Sequence, residues 1–292
     1  MKALLQTGRS GINSIEIRNT SGGSLSPIAV EIETEVVPIL PYDLAKLNGI
    51  IATSVPYVMG YGAVGKITKA GNIRKNSLVG SRVLVLNPRG TFSEKIISNF
   101  PPLVFPLSPS INSLQAVTIV GGLDAAYVLY KKIMKKKVKS VVITGANSVV
   151  GLALLQLLKK ESLQIYPLVR EESLDYFQSK AEEYNLPIYH VNNEKIPALV
   201  IDISGSLIQL KKYIDSGVEI ISIARPDISG VHFISEPLMP TEYKKLLRLL
   251  ETEEVKLPID RVFNLSDTKE AFYYQESGLS RGRNIISFKE VE

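Results

Sequence analysis

The first hundred residues alternate between apolar and polar positions. Val30 and Ile32 against Glu31 and Glu33 put apolar and charged side chains on opposite faces. That period of two marks a half-buried strand, here running from 28 to 37. Shorter runs of the same kind occur at 2–6, 14–18, 63–70, 81–87 and 92–98. Turn residues separate them: Ser21-Gly22-Gly23-Ser24 with Pro27, then Gly71, Gly80, Pro88 and Gly90. Short strands punctuated this way predict an all-β, barrel-like domain.

The period changes near residue 114. Helical spacing holds over 114–137, broken at Gly121-Gly122, and a short apolar strand follows at 141–144 and an apolar helix at 152–160. Further buried-strand candidates lie at 163–169, 198–203 and 218–224, with helical stretches at 173–184 and 207–213 between them. Strand and helix in alternation predict a parallel, doubly wound sheet, so the fold class is α/β. Residues 231–234, after Ser229-Gly230, read as an edge strand of that sheet. No internal repeat or low-complexity segment interrupts the pattern.

Composition narrows the chemistry. Hydrophobic residues make up 45% and charged residues 22%, enough for a sizeable core. Lys plus Arg at 34 against Asp plus Glu at 29 gives a net charge of +5. That excess suits an anionic small ligand and is too weak and scattered to name nucleic acid as a partner. The densest cluster, Lys131, Lys132, Lys135, Lys136, Lys137 and Lys139, reads first as the exposed C-terminal turns of a helix. Non-specific RNA contact is the lesser alternative. Cysteine is absent, which excludes disulfides, Cys-ligated zinc and thiolate nucleophiles. His190 and His232 have no ligand spacing around them, so no metal is expected. The N-terminal residues lack a charged segment followed by a long apolar one, and no uncharged apolar run reaches ~18 residues. A soluble, cytoplasmic protein without membrane contact is expected.

The most informative stretch is Thr144-Gly145-Ala146-Asn147-Ser148-Val149-Val150-Gly151. A strand enters a turn of mostly small residues that opens a helix, and backbone N–H groups at such a helix start favour a pyrophosphate. An ordinary strand-to-helix turn is the plain alternative. Ser148 stands where the middle glycine of the dinucleotide fingerprint would be, placing a side chain where a cofactor approaches. An acidic residue about 20 positions beyond the glycines would bind the ribose 2′-OH of NAD. Arg170 sits near that position and can pair with the 2′-phosphate of NADP. Glu171 and Glu172 follow at once, so NAD remains open, as does a solvated charge.

Beyond this turn the chain resembles the medium-chain dehydrogenase/reductases, in their zinc-independent, quinone oxidoreductase-like branch. The resemblance rests on Met1-Lys2-Ala3-Leu4, Pro56-Tyr57-Val58-Met59-Gly60 with Gly65, Val79-Gly80-Ser81-Arg82-Val83, Thr91-Phe92-Ser93-Glu94 and Gly122-Leu123-Asp124-Ala125. Near the C-terminus, Ile259-Asp260-Arg261-Val262-Phe263, Glu276-Ser277-Gly278 and Arg281-Gly282-Arg283 are its most specific pieces. It implies a GroES-like β-barrel catalytic domain over 1–113, completed by 255–292, and a Rossmann cofactor domain over 114–254. The active-site cleft would lie between them, where a nicotinamide passes hydride to a quinone or activated alkene. It also implies a homodimer through paired edge strands, which would shield the 231–234 edge.

Where zinc-containing relatives carry their ligands, this chain has Leu40, Tyr61 and Gly62. Asp124 replaces a usual threonine near the nicotinamide, where it could accept from the carboxamide or from the backbone. A family helix is expected to be trimmed around 225–240. Reduction of an enone needs a hydrogen bond or proton at the carbonyl oxygen, and Tyr61 and Tyr42 are the candidates. The alternative for both is simple packing. Gly145, Asn147, Ser148, Val149, Val150 and Gly151 would form the phosphate turn, with Asp202, Ser204 and Gly205 approaching the ribose. Arg281 and Arg283 would steady the nicotinamide half or cross the domain interface. The implied activity is NADPH-dependent reduction of a small quinone or α,β-unsaturated carbonyl. The rival is a nucleotide-binding or regulatory protein that kept the fold and lost turnover, motivated by Leu40, Gly62, Asp124 and Ser148 together.

Overall fold

The computed structural model describes residues 1–74, 76–192 and 197–289. They form two compact units. The first comprises Met1–Val120, Pro240–Glu251 and Pro258–Glu292, and the second Gly121–Met239 and Thr252–Leu257.

In chain order the first unit begins with β1 (Lys2–Gln6), β2 (Ile15–Asn19), β3 (Val30–Pro38), α1 (Pro41–Leu47), β4 (Tyr57–Val58), β5 (Gly62–Ala70), β6 (Arg82–Leu86), β7 (Lys95–Ser98), β8 (Val104–Pro106) and α2 (Ser113–Thr118). The second unit holds α3 (Asp124–Lys136), β9 (Ser140–Thr144), α4 (Val149–Leu158), β10 (Gln164–Leu168), α5 (Leu174–Glu183), β11 (Leu199–Asp202), α6 (Leu207–Asp215), β12 (Ile220–Ser222) and β13 (Val231–Phe233). The chain then returns to the first unit with α7 (Pro240–Glu251), β14 (Ile259–Asn264), α8 (Thr268–Glu276) and β15 (Arg283–Ser287).

β3 is the spine of the first unit, as its long alternation predicts. It pairs antiparallel with β5, β7 and β15, within a sheet ordered β14-β15-β3-β5-β6-β8. A smaller sheet, β2-β1-β4, accompanies it. The inward side chains of both, among them Leu4, Ile32, Val37 and Ile67, share one core with Phe92 from the segment before β7 and with Phe263, Phe272 and Ile286 from the C-terminal segment. Phe92 meets Phe272 edge to face at 6.3 Å. Burial of that core ties the C-terminal segment into this unit.

The second unit is a parallel five-stranded sheet in the order β10-β9-β11-β12-β13. A full doubly wound nucleotide fold has six strands in the order 3-2-1-4-5-6. Among the described residues no strand pairs with β10 on its far side, and Ile188, after α5, is fully exposed. α4 is apolar all round and nine of its ten residues are buried, which is how a helix covered on every side reads. Its one buried polar side chain, Gln156, is satisfied by the backbone N–H and C=O of Lys256, both at 2.9 Å, so 252–257 stays with this unit.

Two departures from the sequence reading have physical causes. The break at Gly121-Gly122 is a π-helical turn over Ile119–Leu123, inserted between α2 and α3 without ending the helical run. That run, Ser113–Lys136, is long and apolar enough by length and composition to cross a membrane, and 61% of its apolar window is buried in the protein. Between β12 and α7 there is no helix among the described residues, in keeping with the expected trimming around 225–240. The division into units also differs from 113/114 and 254/255: α7 lies with the first unit, its Tyr243 stacked on Phe105 at 4.8 Å.

Candidate functional site

The stretch from Thr144 to Gly151 leaves β9 at its carboxyl end and enters α4. Gly145 has φ +61°, a left-handed conformation that glycine adopts without strain. A Cβ there would lie 3.2 Å from the backbone nitrogen of Ser204. Gly151 packs closer still. A Cβ on it would stand 2.5 Å from Gly145 O and 2.6 Å from Ala146 O, so helix and turn touch backbone to backbone.

Ser148 resolves its own departure from the fingerprint. Its φ of −75° needs no glycine, and its Oγ turns back to accept the Gly151 N–H at 3.0 Å as the N-cap of α4. The hydroxyl therefore caps the helix. Ser148 N–H and Leu152 N–H are bonded within the turn, and no described hydrogen bond uses the N–H of Val149 or Val150. A ten-residue helix start with two such donors and a glycine-permitted close approach fits a dinucleotide phosphate.

Asp202 does not present itself to a ribose. It is fully buried at the end of β11, with Thr144, Ser222 and the Gly205 N–H bonded to its carboxylate. Ser204 is exposed and Gly205 partly so, and these two carry the accessible surface of that turn. Beside them is a cation that the sequence reading left unassigned. Arg225 packs its stem 3.3 Å from where a Gly205 Cβ would be, donates to Gly205 O at 3.3 Å, and holds Asp227 in a two-pronged ion pair at 2.7 and 2.8 Å.

Arg170 lies two residues beyond the end of β10, the strand on the other side of β9. Its side chain is 56% exposed and lies 3.2 Å from Glu172. Asn192 grips the adjacent Val169 by both its N–H and its C=O at 3.0 Å, fixing the strand end from which Arg170 projects. Asp124, in the first turn of α3, accepts the Ala125 N–H at 2.6 Å, as the structural alternative predicts. The lysine run at the end of α3 is partly paired, with Lys132 to Glu236 at 2.6 Å and Lys136 to Glu219 at 2.5 Å.

The tyrosines belong to the first unit. Tyr42 lies on α1, 45% exposed, with the Lys46 ammonium 4.4 Å from its ring centre. Lys46 also sits 5.2 Å from the Tyr57 ring, whose hydroxyl donates to Gln6 at 2.9 Å. Burial, opposed by the nearby Asp43 charge, lowers the Lys46 pKa. Tyr61 precedes β5, partly buried, and its carbonyl takes the Asn87 N–H at 2.8 Å. Arg283 is buried and gives a hydrogen bond to Ile39 O at 3.0 Å. It secures the chain entering α1 and offers no surface cation to a ligand. Arg281 lies in the same unit, its N–H on Asp260 at 2.8 Å.

Asp43 is a buried acid that sequence reading passed over. Burial pushes its carboxyl up to about 6, against the opposing Leu40 N–H at 2.9 Å and the charges of Lys46 and Arg283. Its folded-state pKa lies above the ordinary value of 3.8, so the folded state binds this proton more tightly. The group therefore favours folding at low pH, and that contribution is lost as pH rises from about 4 to about 6, by roughly 3 kcal/mol. Asp43→Asn is expected to remove that fall. Urea midpoints of both proteins across this window test it, and parallel curves would contradict it.

Gly62 decides what can occupy one of the three positions where zinc-containing relatives place ligands. A Cβ there would be 2.6 Å from Val120 Cγ2, so the space for a side chain is already filled. Leu40, at another, is buried and apolar. Among the described residues no group of three His, Cys, Asp or Glu is placed to hold a metal ion.

No family model matches the sequence. The curated highly reducing polyketide synthase cla2 of Cladosporium cladosporioides is 23% identical over 300 residues, covering 89% of this chain. The match spans only 12% of that protein's length. Among solved structures, the quinone oxidoreductase of Coxiella burnetii superposes with a TM-score of 0.81 at 18% identity, covering 99% of both chains. A cobalt- and zinc-bound thermostable alcohol dehydrogenase of Pyrobaculum aerophilum superposes with a TM-score of 0.82 at 15% identity, covering 98% of this chain and 99% of that one. The chain shares the fold of these oxidoreductase neighbours, with an antiparallel and a parallel sheet, as its resemblance to the medium-chain dehydrogenase/reductases implies.

Proposed function

We propose that the chain is a zinc-independent, NADPH-dependent oxidoreductase that reduces a small quinone or α,β-unsaturated carbonyl. The observation that carries this reading is the turn from Gly145 to Gly151, seated at the carboxyl end of β9 where the strand order reverses. The Val149 and Val150 N–H groups and the α4 dipole would hold the phosphates, and Arg170 would read a 2′-phosphate. Bound NADPH supplies the hydride. Tyr42 or Tyr61 would donate from its Oη to the substrate oxygen as negative charge develops there. The similarity to quinone oxidoreductases and to a reducing synthase supports reduction, while the zinc-bound neighbour shows that the fold alone does not decide about metal. Leu40 and the filled space at Gly62 support zinc independence.

Loss of reduced-nicotinamide absorbance with a panel of quinones and enones tests the activity. Turnover that survives exhaustive chelation is expected. Tight cofactor binding without turnover on any of them would favour the rival, a nucleotide-binding protein that kept the fold. Cytoplasmic location and independence from nucleic acid belong to the same reading.

The reading includes a homodimer. Among the described residues β13 pairs only with β12, and Phe233 on it is 37% exposed. The Ile234 N–H bonds Ser222 O on the β12 side, so strand alternation turns the Phe233 N–H outward. An open apolar edge of this kind favours a second strand across a two-fold axis. Light scattering should give twice the chain mass for the wild type and the single mass for Phe233→Pro. A monomeric wild type would contradict the pairing.

A further inference from the structure

Thr144, Asp202 and Ser222 end three neighbouring parallel strands, and the register sets them side by side: Thr144 opposite Asp202, Asp202 opposite Ser222. All three are 0% exposed. Thr144 Oγ1 donates to Asp202 Oδ1 at 2.7 Å and Ser222 Oγ donates to Oδ2 at 2.6 Å. A carboxylate only accepts, so it forces both hydroxyls to give it their protons and leaves their lone pairs for other donors. Those donors are loop amides. Thr144 Oγ1 takes the N–H of Ile203 at 3.1 Å and of Ser204 at 3.2 Å. Ser222 Oγ takes those of Ala224 and Arg225, both at 3.0 Å. Asp202 itself takes Gly205 N–H at 3.0 Å. Five amides from the loops after β11 and β12 thus hang on three buried side chains, and Ser204 lies against the Gly145 turn.

We infer that Asp202, acting through Thr144 and Ser222, is the positioning residue that sets these loops against the phosphate turn and so fixes the affinity for the nicotinamide cofactor. This rests on the cofactor reading above. It gives Asp202 a role in place of direct ribose contact.

The test uses Asp202→Asn, Thr144→Val and Thr144→Ser in the full chain. Asparagine keeps one acceptor for Thr144 and Gly205 but turns an NH₂ toward Ser222, which must then accept instead of donate. The Ala224 and Arg225 amides should exchange hydrogen at least about tenfold faster, with Ile203 and Ser204 still protected. Thr144→Val should release Ile203 and Ser204 instead, and Thr144→Ser should restore them. Far below the melting temperature, NADPH and NADH affinity should fall together, by about tenfold, in Asp202→Asn and Thr144→Val and return in Thr144→Ser. Faster exchange with unchanged affinity would make the network merely structural and overturn the inference, and unchanged exchange would refute its hydrogen-bond polarity. A wild type that binds neither cofactor would fail the cofactor reading first, and the positioning claim with it, whatever the exchange pattern.

Discussion

Gly151→Ala is expected to destabilise the protein by roughly 1–3 kcal/mol and to weaken cofactor binding at the same time. In an ordinary exposed helix the same change stabilises by about 1 kcal/mol, because alanine is the better helix former. Here the added methyl would lie 2.5 Å from Gly145 O and 2.6 Å from Ala146 O. Both are backbone atoms of the turn, so relief requires the turn to move away from α4. That movement displaces Ser148 and the first helical amides, which the phosphate reading needs in place. Valine should cost more than alanine, since its branches enter the same gap. Urea unfolding followed by tryptophan-free signals such as far-ultraviolet dichroism, with a NADPH titration beside it, gives both effects. A stabilised variant would mean that turn and helix are not in backbone contact.

The second large effect concerns charge. Arg170→Ala should weaken NADPH binding by roughly tenfold to a hundredfold, the range of a charge-assisted hydrogen bond, and leave NADH within about twofold. Exposure does not argue against this, because a phosphate arriving from solvent needs an accessible guanidinium. Glu172 at 3.2 Å is the competing partner, so Glu172→Gln should tighten NADPH modestly and leave NADH unchanged. Equal loss of both cofactors in Arg170→Ala would show that Arg170 does not read the 2′-phosphate.

Much of the fold is legible in the sequence because hydrophobic period reports directly on local geometry. β1, β3, β9 and α4 emerge from alternation or apolar runs near their observed ends. That no strand among the described residues pairs beyond β10 is not legible, since Ile188 and Tyr189 look apolar enough to pair. α7 carries a plain amphipathic pattern, but only its contact with Phe105 assigns it to the first unit. At the site, the turn proposed to hold phosphates is readable because its chemistry is local to eight consecutive residues. The roles of Asp202 and Arg283 are not. An acidic residue at a strand end and an arginine in a C-terminal motif look like ligand contacts until burial and distant partners are known. Thr144, Ser222 and Asp43 carried no signal, because what matters about them is register and burial. Ser148 shows the reverse case: a broken glycine pattern proves compatible with the turn because its hydroxyl finds the Gly151 N–H.

The central claim is that the turn after β9 holds a reduced nicotinamide dinucleotide with a preference set by Arg170. Titration of the purified protein with NADPH and with NADH, followed by reduced-nicotinamide fluorescence, tests it most directly. The account predicts saturable NADPH binding in the micromolar range with NADH at least about tenfold weaker. Absence of binding by either cofactor would contradict it.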